Sequence, residues 1–143
     1  MYDKFIDFCK IGNLNGIKEH IIMNKINIHS NNEEGFRWAC TNGHLHIIKY
    51  LISLYKINQN YTKINIHADI EYGFRLALWN GHKHIIKYLI NLYKNDPIYA
   101  KININANDEY LFIITCYYKQ NNFIKYLLSC GFYSKNNKCI IIL

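Results

Sequence analysis

The residues best equipped for chemistry in this chain are its histidines and its acids. His44 with His46 and His82 with His84 form two close pairs, while His29 and His67 stand alone. Imidazole nitrogens bind zinc, which takes three or four convergent ligands. On a helix, residues i and i+2 point about 200° apart, so neither pair is expected to close on one ion. The acids Glu33, Glu71 and Glu109, with Asp69 and Asp108 beside them, invite comparison with the carboxylate pairs of glycoside hydrolysis. That reaction needs an enclosed site in which two carboxyl groups titrate apart. Equivalent residues of stacked helical units lie instead in an open row, about 10 Å from one to the next. The plain reading of these acids is that of helix-start residues, favourable beside a helix N-terminus.

Other catalytic signatures are missing from the sequence. Gly12, Gly16, Gly35, Gly43, Gly73, Gly81 and Gly131 form neither a G-x-G-x-x-G nor a G-x-x-x-x-G-K-S/T phosphate loop. After Ser30 only Ser53, Ser129 and Ser134 follow, and none sits in a recognisable nucleophile set. No enzymatic activity, metal, cofactor or small-molecule substrate is expected. A fourth constellation concerns binding. Lys49, Lys87 and Lys125, preceded by Lys18, each neighbour or match a tyrosine of the series Tyr50, Tyr88 and Tyr126. Lysines interleaved with aromatic rings suit nucleic acid, with ammonium groups on phosphates and rings on bases. The alternative is a solvated helix face with half-buried tyrosines, and this second reading is preferred.

The spacing of all these residues has one origin. Ile26-Asn27-Ile28-His29 recurs as Ile64-Asn65-Ile66-His67 and as Ile102-Asn103-Ile104-Asn105, 38 residues on each time (64 − 26 and 102 − 64). Gly35-Phe36-Arg37 meets Gly73-Phe74-Arg75 at the same offset, and Asn42-Gly43-His44 meets Asn80-Gly81-His82. His46 to Ile52 likewise meets His84 to Ile90, and Asn122 to Leu128 is a drifted third copy. Upstream, Gly12-Asn13-Leu14 and Ile17-Lys18 match the same steps at an offset of 31 (43 − 12), so the first connection lacks an insertion that the later ones carry. Self-similarity at such a period marks a repeat architecture.

Each unit reads as an extended finger followed by two helices. Ile47, Ile48, Leu51, Ile52 and Tyr55 fall on one side of a helix, as do Ile85, Ile86, Leu89, Ile90 and Tyr93. Shorter helices are predicted over 34–41 and 72–79. Gly43 and Gly81 then stand where a left-handed residue ends a helix, and Ala39 and Ala77 where two helices approach closely. Residues 55–63 and 93–101 read as exposed loops or helix extensions, with Pro97 inside the second. Neither helix buries its apolar face alone, so the units must stack. The expected fold is an all-α repeat solenoid over 1–143. Its units run about 1–25 (a partial N-terminal cap), 26–63, 64–101, 102–133 and 134–143 (a partial unit or C-terminal cap).

Composition sets further bounds. Of the 143 residues, 26 are isoleucine, 20 asparagine, 15 lysine and 13 tyrosine, a bias shared by adenine- and thymine-rich codons. The formal net charge of +7 therefore reflects codon usage as well as function. Apolar runs such as Leu111–Ile114 are far short of the roughly 20 residues that cross a bilayer. The opening Met1-Tyr2-Asp3-Lys4 leads into no secretory leader, so an intracellular setting, cytoplasmic or nuclear, is expected. Cys9, Cys40, Cys116, Cys130 and Cys139 contain no CxxC pair and read as reduced, mostly buried thiols.

The stretch Trp38-Ala39-Cys40-Thr41-Asn42-Gly43-His44-Leu45-His46-Ile47-Ile48-Lys49-Tyr50-Leu51-Ile52 resembles the ankyrin-repeat family, and Leu76 to Ile90 shows the same pattern. The resemblance spans about residues 2–133. The isoleucine- and asparagine-rich composition and the Gly-Phe-Arg start are similar to ankyrin-type proteins of giant DNA viruses of amoebae (mimivirus-like). Two departures stand out. The family's Thr-Pro-Leu-His start is replaced by Glu34-Gly35-Phe36-Arg37 and Tyr72-Gly73-Phe74-Arg75, and the period is 38 rather than about 33. The resemblance implies that His44 and His82 belong to the turn and help hold neighbouring units. Ala39, Gly43, Ala77 and Gly81 complete that structural set.

A repeat stack presents one extended surface formed by fingers and first helices. On it lie Asn31, Asn32 and Glu33, then Asp69, Ile70 and Glu71, then Asn107, Asp108 and Glu109, with Arg37 and Arg75 just inside. The acids and asparagines suit hydrogen bonding to a polar or basic protein segment. The expected function is protein–protein interaction, with a host protein as partner if the viral resemblance holds. Nucleic-acid binding through Lys49, Lys87 and Lys125 is the alternative, and a shortened remnant without an active role is the third reading.

Overall fold

The computed structural model describes residues 2–24, 26–58, 60–96, 98–100, 102 and 121–130. It is an all-α stacked helical solenoid. Three helix pairs follow one another: α1 (Tyr2–Ile11) with α2 (Leu14–Asn24), α3 (Ser30–Thr41) with α4 (Leu45–Ile57), and α5 (Ala68–Trp79) with α6 (Lys83–Asn95). A further helix, α7, spans Asn121–Ser129. First helices pack on one another, α1 on α3 and α3 on α5, and each on its own partner. The expectations for Pro97, Asn107, Asp108, Glu109 and the segment 134–143 lie outside the described residues.

The core follows the predicted periodicity. Ile47, Ile48, Leu51 and Ile52 of α4 are buried, as are Ile85, Ile86, Leu89 and Ile90 of α6. The finger motif alternates: Ile26, Ile28, Ile64, Ile66 and Ile102 face inward. Asn27 and Asn65 stay exposed and close short turns, their Oδ1 atoms accepting from the amides of His29 and His67 at 3.0 Å. Phe5, Phe36 and Phe74 fill the same position in successive first helices. Truncating such a side chain to alanine costs about 3–5 kcal/mol.

The close approach of first helices rests on glycines as well as on the buried Ala39 and Ala77. A Cβ on Gly35 would meet Phe5 Cε1 at 2.6 Å, and one on Gly73 would meet Phe36 Cε1 at 3.0 Å. These glycines admit the preceding unit's phenylalanine. The insertion at 58–62 has no counterpart in the shorter first connection. It overhangs the end of α2 and leaves an open recess of about 520 Å³ against Ile21, Ile22 and Ile26.

Candidate functional site

Two of the histidine positions prove to be staples between units. Each first helix ends on a left-handed glycine: Gly12 (φ 81°), Gly43 (φ 82°) and Gly81 (φ 73°). The His44 amide then donates to Ala39 O at 2.9 Å and the His82 amide to Ala77 O at 2.8 Å, the long bond of a Schellman cap. The imidazoles turn back onto the previous unit. His44 Nε2–H donates to Lys10 O and His82 Nε2–H to Thr41 O, both at 2.9 Å. His46 and His84 reach Gly12 O and Gly43 O at 3.0 and 3.1 Å. The expectation that the paired rings point apart does not hold, because His44 and His82 precede their helices. Their rings lie 5.9 Å from those of His46 and His84, with every Nε2–H given to a backbone carbonyl. Among the described residues no group of three or more His, Cys, Asp or Glu converges as a metal site.

The finger tips hold an unanticipated geometry. Asn31, Asn32 and Glu33 all have positive φ (49°, 59° and 63°), as do Asp69, Ile70 and Glu71 (55°, 54° and 60°). This left-handed knuckle aims the third residue inward. Glu33 and Glu71 stand in the first turns of α3 and α5, as the helix-start reading has them, but are only 5% and 4% exposed, which removes them from the predicted recognition surface. Glu33 Oε1 accepts from His29 Nδ1 at 2.8 Å and from the Asn65 amide of the next finger at 2.9 Å. Glu71 Oε1 likewise accepts from His67 Nδ1 at 2.8 Å. Thr62 Oγ1 lies 2.9 Å from His29 Nε2, which completes a hydroxyl–imidazole–carboxylate line. One repeat on, the residue in register with Thr62 is Ala100, so what repeats is the His–Glu pair, and at Glu33 that pair also joins one finger to the next. Asn31, Asn32, Asp69 and Ile70 remain exposed.

The outer stripe of the first helices carries what the sequence reading passed over. Glu34, Arg37, Trp38 and Thr41 of α3, with Tyr72 and Leu76 of α5, line an open groove of about 250 Å³. Trp38 is 36% exposed, Tyr72 36% and Trp79 43%, high values for such large rings. Arg37 donates from NH1 to Asp69 Oδ2 at 2.9 Å and from NH2 to Asn31 O at 2.8 Å. The guanidinium carbons of Arg37 and Arg75 both lie over the Tyr72 ring, at 5.4 and 5.3 Å. Lys10 stands 4.8 Å over Trp38, whose indole N–H reaches Glu34 at 3.3 Å. The signal was present in the residues. Positions 34, 37, 38 and 41 recur as 72, 75, 76 and 79, an i, i+3, i+4, i+7 stripe that keeps its arginine and changes its other three residues between units, while the buried Phe36 and Ala39 recur as Phe74 and Ala77.

The lysine row is exposed but not idle. Lys18 lies over the Tyr50 ring at 5.5 Å, Lys49 over Tyr88 at 5.6 Å and Lys87 over Tyr126 at 5.3 Å. Each lysine thus covers the tyrosine of the following unit in a cation–π ladder. The tyrosines are half-buried, and burial pushes the hydroxyls of Tyr50 and Tyr88 above the usual phenol range. Lys125 is exposed on α7. Rings engaged in this way are poorly placed to stack on bases.

With the capped turns, paired helices and stacked fingers in view, the chain was compared with known proteins. Residues 36–90 match the family model of ankyrin repeats (many copies). No curated protein and no solved structure matches the chain. The ankyrin match begins at Phe36 and ends at Ile90, and so takes in the greater part of α3, all of α4 and α5 and the buried face of α6. Ankyrin repeats in general are non-catalytic scaffolds for protein–protein interaction, and the stack described above is of that architecture. The turn set Ala39, Gly43 and His44 with Ala77, Gly81 and His82 falls within the ankyrin segment. No helix among the described residues is long and apolar enough to cross a membrane.

Proposed function

We propose that this chain is a non-catalytic module that binds a protein of the host cell through the outer stripe of α3 and α5 and the exposed finger tips Asn31, Asn32, Asp69 and Ile70. The observation that carries the reading is the cluster of exposed Trp38, Tyr72 and Trp79 set around Arg37 and Arg75. Tryptophan, tyrosine and arginine are the residues in which interface energy concentrates; the aromatic ones lie here at positions that differ between otherwise similar repeats, and the arginine recurs in both. The host assignment and an intracellular site of action follow from the resemblance to amoebal giant-virus proteins. The lysine–tyrosine face is assigned a structural part, because its cations and rings satisfy one another.

The test is capture from amoebal lysate with purified chain, with and without nuclease and over rising salt, alongside Trp38→Ala and Tyr72→Ala baits. A specific protein that survives nuclease and salt, and is lost with either variant, supports the proposal. Capture that disappears with nuclease, falls steeply with salt and is abolished by charge reversal of Lys49, Lys87 and Lys125 transfers the function to nucleic acid. A folded bait that retains nothing in repeated trials makes the chain a remnant without an active role.

A further inference from the structure

The repeat supplies an internal comparison between two arginines. Arg37 and Arg75 occupy the same step of successive first helices and share the Tyr72 ring. Arg37 is satisfied by the Asp69 carboxylate of the following unit and by the Asn31 carbonyl. In the sequence, the residue one repeat beyond Asp69 is Asn107 (69 + 38), a neutral amide in place of a carboxylate. Among the described residues Arg75 has neither a hydrogen bond nor an ion pair; the Nε of both arginines is buried without an acceptor, so the two differ at their terminal nitrogens, which meet a carboxylate and a carbonyl only in Arg37. Terminal guanidinium nitrogens without an acceptor are a ready seat for a carboxylate, which they bind in a fork. Beside it, across Tyr72, the groove presents apolar surface from Trp38 and Leu76.

We infer that the groove takes an acidic segment of a partner protein, with one carboxylate seated on Arg75 as Asp69 is on Arg37, and a neighbouring apolar side chain between Trp38, Tyr72 and Leu76. This rests on the interaction reading above and corrects its sequence-derived polarity. The expected acids Glu33 and Glu71 are buried, Asp69 is spent on Arg37, and Lys10 adds a third cation beside Trp38. Among the described residues of this stripe the accessible charge is therefore mainly positive, which favours an acidic rather than a basic partner. Glu34 on the same groove disfavours a continuous run of phosphates, whereas a peptide can place an apolar or neutral residue opposite it.

The experiment selects ligands from a random 12-residue peptide library displayed on phage, then measures synthetic copies by fluorescence anisotropy. The selected peptides should carry Asp or Glu within a few residues of an aromatic or aliphatic anchor. Arg75→Gln should weaken them about tenfold or more, and the matching Glu→Gln change in the peptide should do the same without adding to it. Thermal melts verify that the variant is folded. A second variant works in the opposite direction: Asp69→Asn releases the Arg37 guanidinium and should tighten acidic peptides several-fold. Peptides that lack acids, or that bind Arg75→Gln unchanged yet are lost with Trp38→Ala, overturn this inference and leave the interaction surface in place. Peptides indifferent to Trp38→Ala and Tyr72→Ala overturn both, and a selection that yields nothing above background overturns the inference.

Discussion

Replacing Gly43 by alanine perturbs the stack at the point where two units are fastened. Gly43 has φ 82°, a conformation that costs an L-residue about 1–2 kcal/mol. The added Cβ would stand 2.9 Å from His82 Cε1 and 3.0 Å from Nδ1, so the ring of the next unit must move. Moving it stretches the 2.9 Å bond from His82 Nε2 to Thr41 O, worth about 1 kcal/mol. Against these losses the stiffer unfolded chain returns about 0.4–1 kcal/mol. The expected net cost is about 2 kcal/mol, read from urea unfolding followed by circular dichroism. His82→Ala should cost about 1–2 kcal/mol alone, because Thr41 O loses its partner. In the double variant the steric conflict has gone, so the two costs should fall short of their sum by about 1 kcal/mol. Strict additivity, or a Gly43→Ala cost within about 0.5 kcal/mol, would refute the staple.

Ile70 is a β-branched residue in a left-handed conformation (φ 54°), while its equivalent one unit earlier is Asn32. Ile70→Asn should stabilise the fold by about 1 kcal/mol in the same unfolding assay, and should weaken the partner complex if the 58% exposed side chain contributes to it. Glu33→Ala strips the acceptor from the Asn65 amide and the His29 ring, and a loss of about 1–3 kcal/mol is expected. Glu33→Gln keeps one carbonyl acceptor and should lose less. Burial pushes the Cys9 thiol up to about 12 and raises Cys40 still further from the ordinary 9.0. Because these folded-state values lie above the unfolded one, the stability they confer is complete below pH 9 and drains away as pH rises through the folded values. The Cys9→Ala, Cys40→Ala double variant should accordingly lose less stability than the parent between pH 9 and 10, before most tyrosines ionise.

The helical frame was legible in the residues because packing repeats wherever the chain repeats. Ile47, Ile48, Leu51 and Ile52 predict a buried face, and the structure buries them. The Asn-Gly-His turn predicts a left-handed cap, and Gly43 and Gly81 supply it. Glu33 and Glu71 stand at helix starts as read, but their burial was not legible, for a physical reason. Their neighbours Asn31, Asn32 and Asp69 are polar and exposed, and only the backbone amides and histidines of a folded stack make burial of a carboxylate favourable. No local pattern forecasts a β-branched Ile70 in a left-handed turn, since that geometry is imposed by the finger rather than preferred by the residue. The lysine–tyrosine ladder was visible as two rows, but their pairing depends on the reach of a side chain to the following unit. Trp38, Tyr72 and Trp79 could have been found by asking which helix stripe varies between repeats.

Among the described residues the bonds that join units run only between immediate neighbours, from Lys10 to His44, from Thr41 to His82, and from Glu33 to Asn65. Such a molecule behaves under load as a set of clasps in series. Pulled by its ends, it should yield one clasp at a time, each release paying out a thread of about 38 residues (64 − 26), roughly 130 Å of extended chain. The last clasps to open should be those whose histidine, glycine and glutamate staples are all present.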